Sequence, residues 1–182
     1  MAQQEQRRTK KQWALFIAGM TAILIGMGIL GFFGIRKLYR EYRKYKLMQE
    51  NPVVQIAELN IRAPILEGTE NDVLSMAAGH FPGTGGFGHG NYCVAGHSST
   101  LYKEYFNRLK QVENGMQICL YDKDKNCYRY TVTDHYIVNP DEIGILDDFG
   151  DDRITLITCT DDGKQRLVVV GTYQPPDETK EP

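Results

Sequence analysis

The 182 residues carry 21 basic and 23 acidic side chains, a net charge of −2, and four cysteines. That length suits one domain plus an appendage, and with no CxxC pair the cysteines give no sign of a zinc ribbon or a thioredoxin-type redox motif. The charge is unevenly split: residues 1–50 hold 10 basic and 3 acidic side chains (net +7), and residues 51–182 hold 11 and 20 (net −9). The larger part therefore lacks the positive field that grips nucleic acid, and no nucleic-acid partner is expected.

A short basic tail, 1–12, leads into "WALFIAGMTAILIGMGILGFFGI" at 13–35, which contains no charge. A helix of that length, rising about 1.5 Å per residue, crosses a hydrocarbon core of about 30 Å. A secretory signal would have a shorter apolar region and a small-residue cleavage site, whereas basic residues follow here at once, so an uncleaved anchor is expected. Four basic residues precede the span (Arg7, Arg8, Lys10, Lys11) and six follow it closely (Arg36, Lys37, Arg40, Arg43, Lys44, Lys46). Counted alone, that excess places the C-terminal side in the cytoplasm. The segment 36–52 reads as a helical basic stalk against anionic head groups.

Past Asn51-Pro52 come short apolar or alternating runs broken by Gly, Pro, Asn and Asp. Strands are predicted at 53–59, 62–66, 91–95, 116–121, 127–138, 153–160 and 166–173, with short helices at 71–78 and 103–110. Their number and spacing suggest an all-β domain over 53–174, a closed or nearly closed antiparallel barrel. The tail 175–182 is polar and Pro-rich and is expected to be disordered. Cys119 and Cys127 flank "LYDKDKN"; a turn centred on Lys123 sets them face to face, as a cross-strand disulfide or, more plainly, as two reduced thiols.

The stretch "ITLITCTDDGKQRLVVVG", 154–171, carries the chemistry. Asp162-Gly163 is a strong two-residue hairpin signal, and with those residues central Cys159 faces Arg166 across the sheet. Alternation then puts Ile154, Leu156, Thr158, Leu167 and Val169 on the barrel interior. Thr155, Ile157, Cys159, Arg166, Val168 and Val170 fall on a second face, whose apolar members imply a covered floor or groove. A thiolate is a nucleophile, and a neighbouring guanidinium favours it or donates to an oxyanion formed on an attacked carbonyl. The hairpin has no proton carrier. Among four histidines His97 is the candidate, because "NYCVAGH" ends its strand as the cysteine ends its own. His89 reads as a solvated residue of the flexible Gly-rich loop "GTGGFGHG", His135 as a structural strand residue, and His80 as a C-cap contact after a helix. The spacing of His89, Cys93 and His97 invites zinc, but the glycines oppose the helix that would align them.

"TLITC" at 155–159, with "AGH" upstream at 95–97 and Arg166 downstream, resembles the sortases, membrane-anchored cysteine transpeptidases of Gram-positive cell surfaces. The resemblance implies an eight-stranded barrel behind one N-terminal transmembrane helix, with His97, Cys159 and Arg166 as catalytic residues. It also implies a cytoplasmic N-terminus and an extracellular catalytic domain, against the flanking-charge count. The implied substrates are LPxTG-like sorting-signal peptides of surface proteins, cleaved after the threonine through a thioacyl-enzyme, and the implied acceptor is an amine of a peptidoglycan precursor. A catalytically silent peptide-binding adaptor and a cysteine hydrolase using water stand as alternatives. The short "NPDEIGILDDFGDD" leaves no room for the helical insertion of class B, and the tail carries no second span, so a compact class A, D or E type is implied. No cofactor is expected; the acidic residues Glu142, Asp147, Asp148, Asp151 and Asp152 offer oxygens to calcium, but a solvated acidic loop is the plainer reading.

Overall fold

Between Ala2 and Glu50 there is no proline, and one continuous helix, α1, occupies Ala2–Glu50. It stops at Asn51 because a residue preceding proline is disfavoured in helical conformation; the Asn51 backbone N–H and side-chain amide both donate to the Leu47 carbonyl at 3.0 Å. The computed structural model describes residues 2–98 and 105–176 and divides into two units, Met1–Arg43 and Lys44–Pro182. In the first, apolar side chains such as Leu15, Leu24, Leu30 and Phe33 are exposed, and the helix is long and apolar enough to cross a membrane. In the second, Lys125 at a hairpin tip donates to the Met48 and Gln49 carbonyls at 3.1 and 3.4 Å, closing the last turn of α1.

The described residues of the second unit form eight strands: β1 Val53–Ile56, β2 Ile61–Glu67, β3 Ala78–His80, β4 Asn91–Ala95, β5 Gln117–Tyr121, β6 Cys127–Val138, β7 Arg153–Cys159 and β8 Arg166–Gln174. They close into a barrel in the order β1-β2-β3-β4-β7-β8-β6-β5, with β1 pairing back on β5. The eight-stranded barrel is as expected, although two of its seams, β2–β3 and β4–β7, are parallel. Parallel neighbours need a long crossover connection. Between β2 and β3 the chain supplies one with the short helix α2, Asn71–Leu74; between β4 and β7 it supplies β5 and β6. The helix predicted at 71–78 is thus cut to one turn, because Ala78 is drawn into β3 beside Ile65. Of the helix predicted at 103–110, positions 103 and 104 lie outside the described residues; the remainder forms turns and a 3-10 turn, Leu109–Gln111. Most of the polar tail, 177–182, also lies outside the described residues.

Alternation fills the interior with Val54, Ile56, Ala63, Ile65, Val94, Ile118, Leu120, Tyr130, Val132, Ile154, Leu156, Leu167 and Val169. Phe106, Leu109 and Val112 close the barrel at the C-terminal end of β4. The opposite end is closed by the Gly-rich loop, read from sequence as flexible. Phe87 packs on Tyr92 and Tyr128 with ring centroids 5.2 and 5.5 Å apart, and Gly88 N–H donates to Tyr130 Oη at 2.8 Å. The glycines allow this close approach: Gly88 sits at φ +68°, and a Cβ there would meet the Tyr173 ring at 2.9 Å.

In β6 the register with β8 slips between Val132 and Asp134, leaving Thr133 unpaired. Such a bulge reverses the parity of every later residue. Tyr130 and Val132 point inward, whereas Asp134, Tyr136 and Val138 lie opposite Val170, Val168 and Arg166 on the outer face.

Candidate active site

The register predicted from "TLITCTDDGKQR" is the one observed: Cys159 pairs with Arg166, Thr158 with Leu167 and Leu156 with Val169. The turn, however, has a different shape. Gly163 N–H donates to Thr160 O at 2.8 Å and Thr160 N–H to Gln165 O at 3.1 Å, which makes a four-residue loop, with Gly163 at φ +71°. The Asp162 carboxylate holds it, accepting from Thr160 Oγ1 at 2.6 Å and from Lys164 N–H at 3.1 Å. Two extra loop residues preserve the facing pair, so the expectation survives a wrong turn type.

His97 arrives on β4. That strand runs parallel to β7 with Ala95 level with Ile157, and Gly96 N–H continues the ladder to Ile157 O at 2.9 Å. Two residues further along the same register, His97 is level with Cys159. Its backbone is held on both sides: buried Thr158 donates through Oγ1 to Gly96 O at 2.7 Å, and Phe106 N–H donates to His97 O at 3.2 Å. Lys110 Nζ also reaches Asp161 at 2.7 and 2.9 Å, joining the chain after His97 to the hairpin that carries Cys159 and Arg166. His97, Cys159 and Arg166 are all half-buried. The Arg166 guanidinium hydrogen-bonds the turn, with Nη1 3.1 Å from Gln165 O and 3.5 Å from Gly163 O.

The second face is covered, as alternation implied. Val168 is fully buried and Thr155 is 2 % exposed although both point away from the barrel interior. The chain between β6 and β7 bends over part of this face, including a 3-10 turn, Ile143–Leu146. Asn91 holds it: Nδ2 donates to Ile145 O at 3.0 Å and Asp147 O at 2.9 Å, and Oδ1 accepts from Thr155 Oγ1 at 2.6 Å. The face is therefore closed at the Asn91–Thr155 end and half-exposed at the Cys159 end. An asparagine opening an apolar strand is the one local sign of this arrangement in the sequence.

The other histidines stay apart from this cluster. His80 is in β3 and not at a helix end; it is buried, with Nδ1 2.9 Å from Glu67 Oε2, Nε2 3.1 Å from Thr84 Oγ1 and its ring stacked 4.2 Å from that of Tyr92. His89 is exposed in the Gly-rich loop near Asp152. His135 lies within β6, as expected, with Nδ1 3.2 Å from Asn114 Oδ1, but its side chain is exposed. Among the described residues no three His, Cys, Asp or Glu side chains converge as a metal site. The acidic loop is used locally: Asp151 binds Arg153, Asp148 accepts from Gly150 N–H and Asp152 from Gly90 N–H. Cys119 and Cys127 are free thiols and do not face each other. The hairpin centres on Asp124, because the Asp122 carboxylate binds Asn126, so Cys119 pairs with Arg129 and Cys127 with Tyr121.

Burial pushes the Cys93 thiol up to about 12, Cys119 up to about 11 and the Tyr130 phenol up to about 12. Each is raised above its unfolded value, about 8.5 for cysteine and 10 for tyrosine. The fold's preference for the protonated groups is complete below those values and is lost as pH rises toward the folded ones. Stability is therefore expected to fall between about pH 9 and 12, measurable as falling denaturant midpoints. Iodoacetamide at pH 8 should label exposed Cys127 and half-buried Cys159 while sparing Cys93; rapid labelling of Cys93 would contradict its burial.

Comparison with known proteins agrees with this architecture. The sortase-domain family profile matches residues 54–174. Sortase A of Bacillus anthracis is 36% identical over 121 residues, covering 65% of this chain and 57% of that protein. Sortase A of Streptococcus agalactiae serotype III (strain NEM316) is 33% identical over 123 residues, covering 64% and 49%. The matched region thus spans about half the length of these relatives. Among solved structures, sortase A of Listeria monocytogenes superposes with a TM-score of 0.65 at 28% identity, over 70% of this chain and 88% of that one. The chain belongs to the sortase family.

Proposed function

We propose that this protein is a membrane-anchored cysteine transpeptidase that acts on LPxTG-like sorting signals. The observation that carries the reading is the meeting of three strand ends: Cys159 opposite Arg166 and level with His97, at the open end of a covered sheet face. The Cys159 thiolate attacks the carbonyl carbon between threonine and glycine, and the oxyanion formed there takes hydrogen bonds from the Arg166 guanidinium. For this the guanidinium swings off the Gln165 carbonyl toward the substrate. His97 protonates the departing amine as the C–N bond breaks, leaving a thioester on Sγ. An incoming amine, on a cell-wall precursor, gives its proton to His97 and attacks the thioester carbonyl; Sγ leaves and the peptide bond is restored. No cofactor enters these steps. The apolar helix α1 supplies the anchor, with residues 1–12 in the cytoplasm and the barrel outside. The absence of an inserted helix among the described residues between β6 and β7 supports a compact type, A, D or E.

The test is incubation of the protein with an LPxTG peptide, with and without an added amine, followed by mass spectrometry. A thioacyl adduct on Cys159 that is resolved into an amide product when amine is present is the expected result. Release of free acid alone, unaffected by amine, would reassign the protein as a hydrolase, and binding without an adduct would make it an adaptor.

A further inference from the structure

The bonds of Asn91 join parts of the chain 54 to 64 residues apart. The side chain is 2 % exposed, and both amide protons and the carbonyl oxygen are used. Its orientation is unambiguous, since a flipped amide would set its oxygen against two carbonyl oxygens. Thr155, equally buried, has one hydroxyl proton and spends it on Asn91 Oδ1, which fixes the amide with its donors toward the Ile145 and Asp147 carbonyls. The loop end is also tied, by Gly90 N–H to Asp152 Oδ1 and Arg153 N–H to Gly90 O, both at 2.9 Å, but neither bond reaches the Ile143–Leu146 turn. Within that turn Ile143 exposes its side chain and no buried residue anchors it. Its short hydrogen bonds to the sheet come from Asn91; Cys93 Sγ, 4.0 Å from Ile145 O, adds only a long thiol contact.

We infer that Asn91, locked by Thr155, is a positioning residue that fixes the Ile143–Leu146 turn over one end of the peptide face and so sets which sorting peptides are accepted. This assignment rests on the transpeptidase reading above. Thr155 and Cys159 lie on the same face of β7, four residues apart, about 13 Å at the strand rise of about 3.3 Å per residue. An extended peptide held at Cys159 by its scissile carbonyl therefore reaches the turn with the side chains about four residues away. Selection of those residues depends on where the turn stands; bond cleavage at Cys159 does not.

The test uses the full-length chain and three variants, Asn91→Ala, Thr155→Val and Thr155→Ser. Amide hydrogen exchange over 139–148, without substrate, is expected to quicken about tenfold in the first two variants and return to wild-type in Thr155→Ser, with β7 protection unchanged. In steady-state assays on a panel of sorting peptides varied three and four residues from the scissile bond, the same two variants should raise KM for the best peptide. Discrimination between best and worst should fall about tenfold, with kcat within about twofold of wild-type. If Asn91→Ala does not fold, the Thr155→Val and Thr155→Ser pair decides. Unchanged exchange in folded variants, or quickened exchange with an unaltered peptide ranking, overturns the assignment. A wild-type chain that acylates with none of the peptides instead overturns the transpeptidase reading, and this assignment with it.

Discussion

Cys159→Ala is expected to give a folded protein with no detectable transfer and no peptide adduct. Sγ is the atom on which the proposed thioester forms, and alanine offers no substitute nucleophile. The structural cost is small, because Cys159 is a half-buried residue at the end of β7 and lies outside the hydrophobic interior; a loss of about 1 kcal/mol or less is in keeping with such a substitution. Thermal unfolding close to wild-type together with an empty mass spectrum is the predicted pair of results. Turnover near the wild-type rate would move the nucleophile elsewhere.

The second large effect is at His97. His97→Ala should reduce kcat/KM by about 10²–10⁴-fold, the contribution of a positioned general acid and base. The loss is separable from a folding defect, because the backbone at 96–97 is held by Thr158 and Phe106 and not by the imidazole. Cys159 should therefore still alkylate with iodoacetamide when peptide turnover is nearly gone. Arg166→Ala should lose about 10²–10³-fold, in line with removal of an oxyanion donor. A His97 variant that transfers peptide normally would leave the reaction without its proton carrier, and the proposed role would have to be abandoned.

Much of this site was legible in the sequence because its geometry is carried by strand pairing, which has a period of two. "TLITC" and "RLVVVG" alternate cleanly, so the facing pair and the interior face both follow from one turn signal. Where parity is interrupted, reading fails. The unpaired Thr133 turns Tyr136 onto the outer face, and nothing in "CYRYTVTDHYIV" marks the slip. The hairpin after β5 centres one residue later than simple symmetry predicts, because the Asp122–Asn126 bonds shape it, and Cys119 and Cys127 are therefore not directly opposed. β3 is three residues long and is a strand only by virtue of its neighbours. The Gly-rich loop has the composition of a mobile segment; its order comes from Phe87 inserting among aromatic rings contributed by β4 and β6. Asn91 marks itself only as a polar residue opening an apolar strand; its partners lie 54 to 64 residues away and are brought in by a parallel crossover.

The four-residue β7–β8 turn makes loop length an arithmetic constraint on anyone rebuilding this end of the molecule. Sequence can be grafted between Thr160 and Gln165 in steps of two, and Cys159 and Arg166 stay on one side of the sheet. A graft of one residue, unless taken up within the loop or as a bulge, slips the register and brings the arginine onto the apolar interior face opposite Thr158, in the place of Leu167. The tip of this hairpin is thus open to peptide tags or altered charge, and the currency of redesign there is parity, not composition.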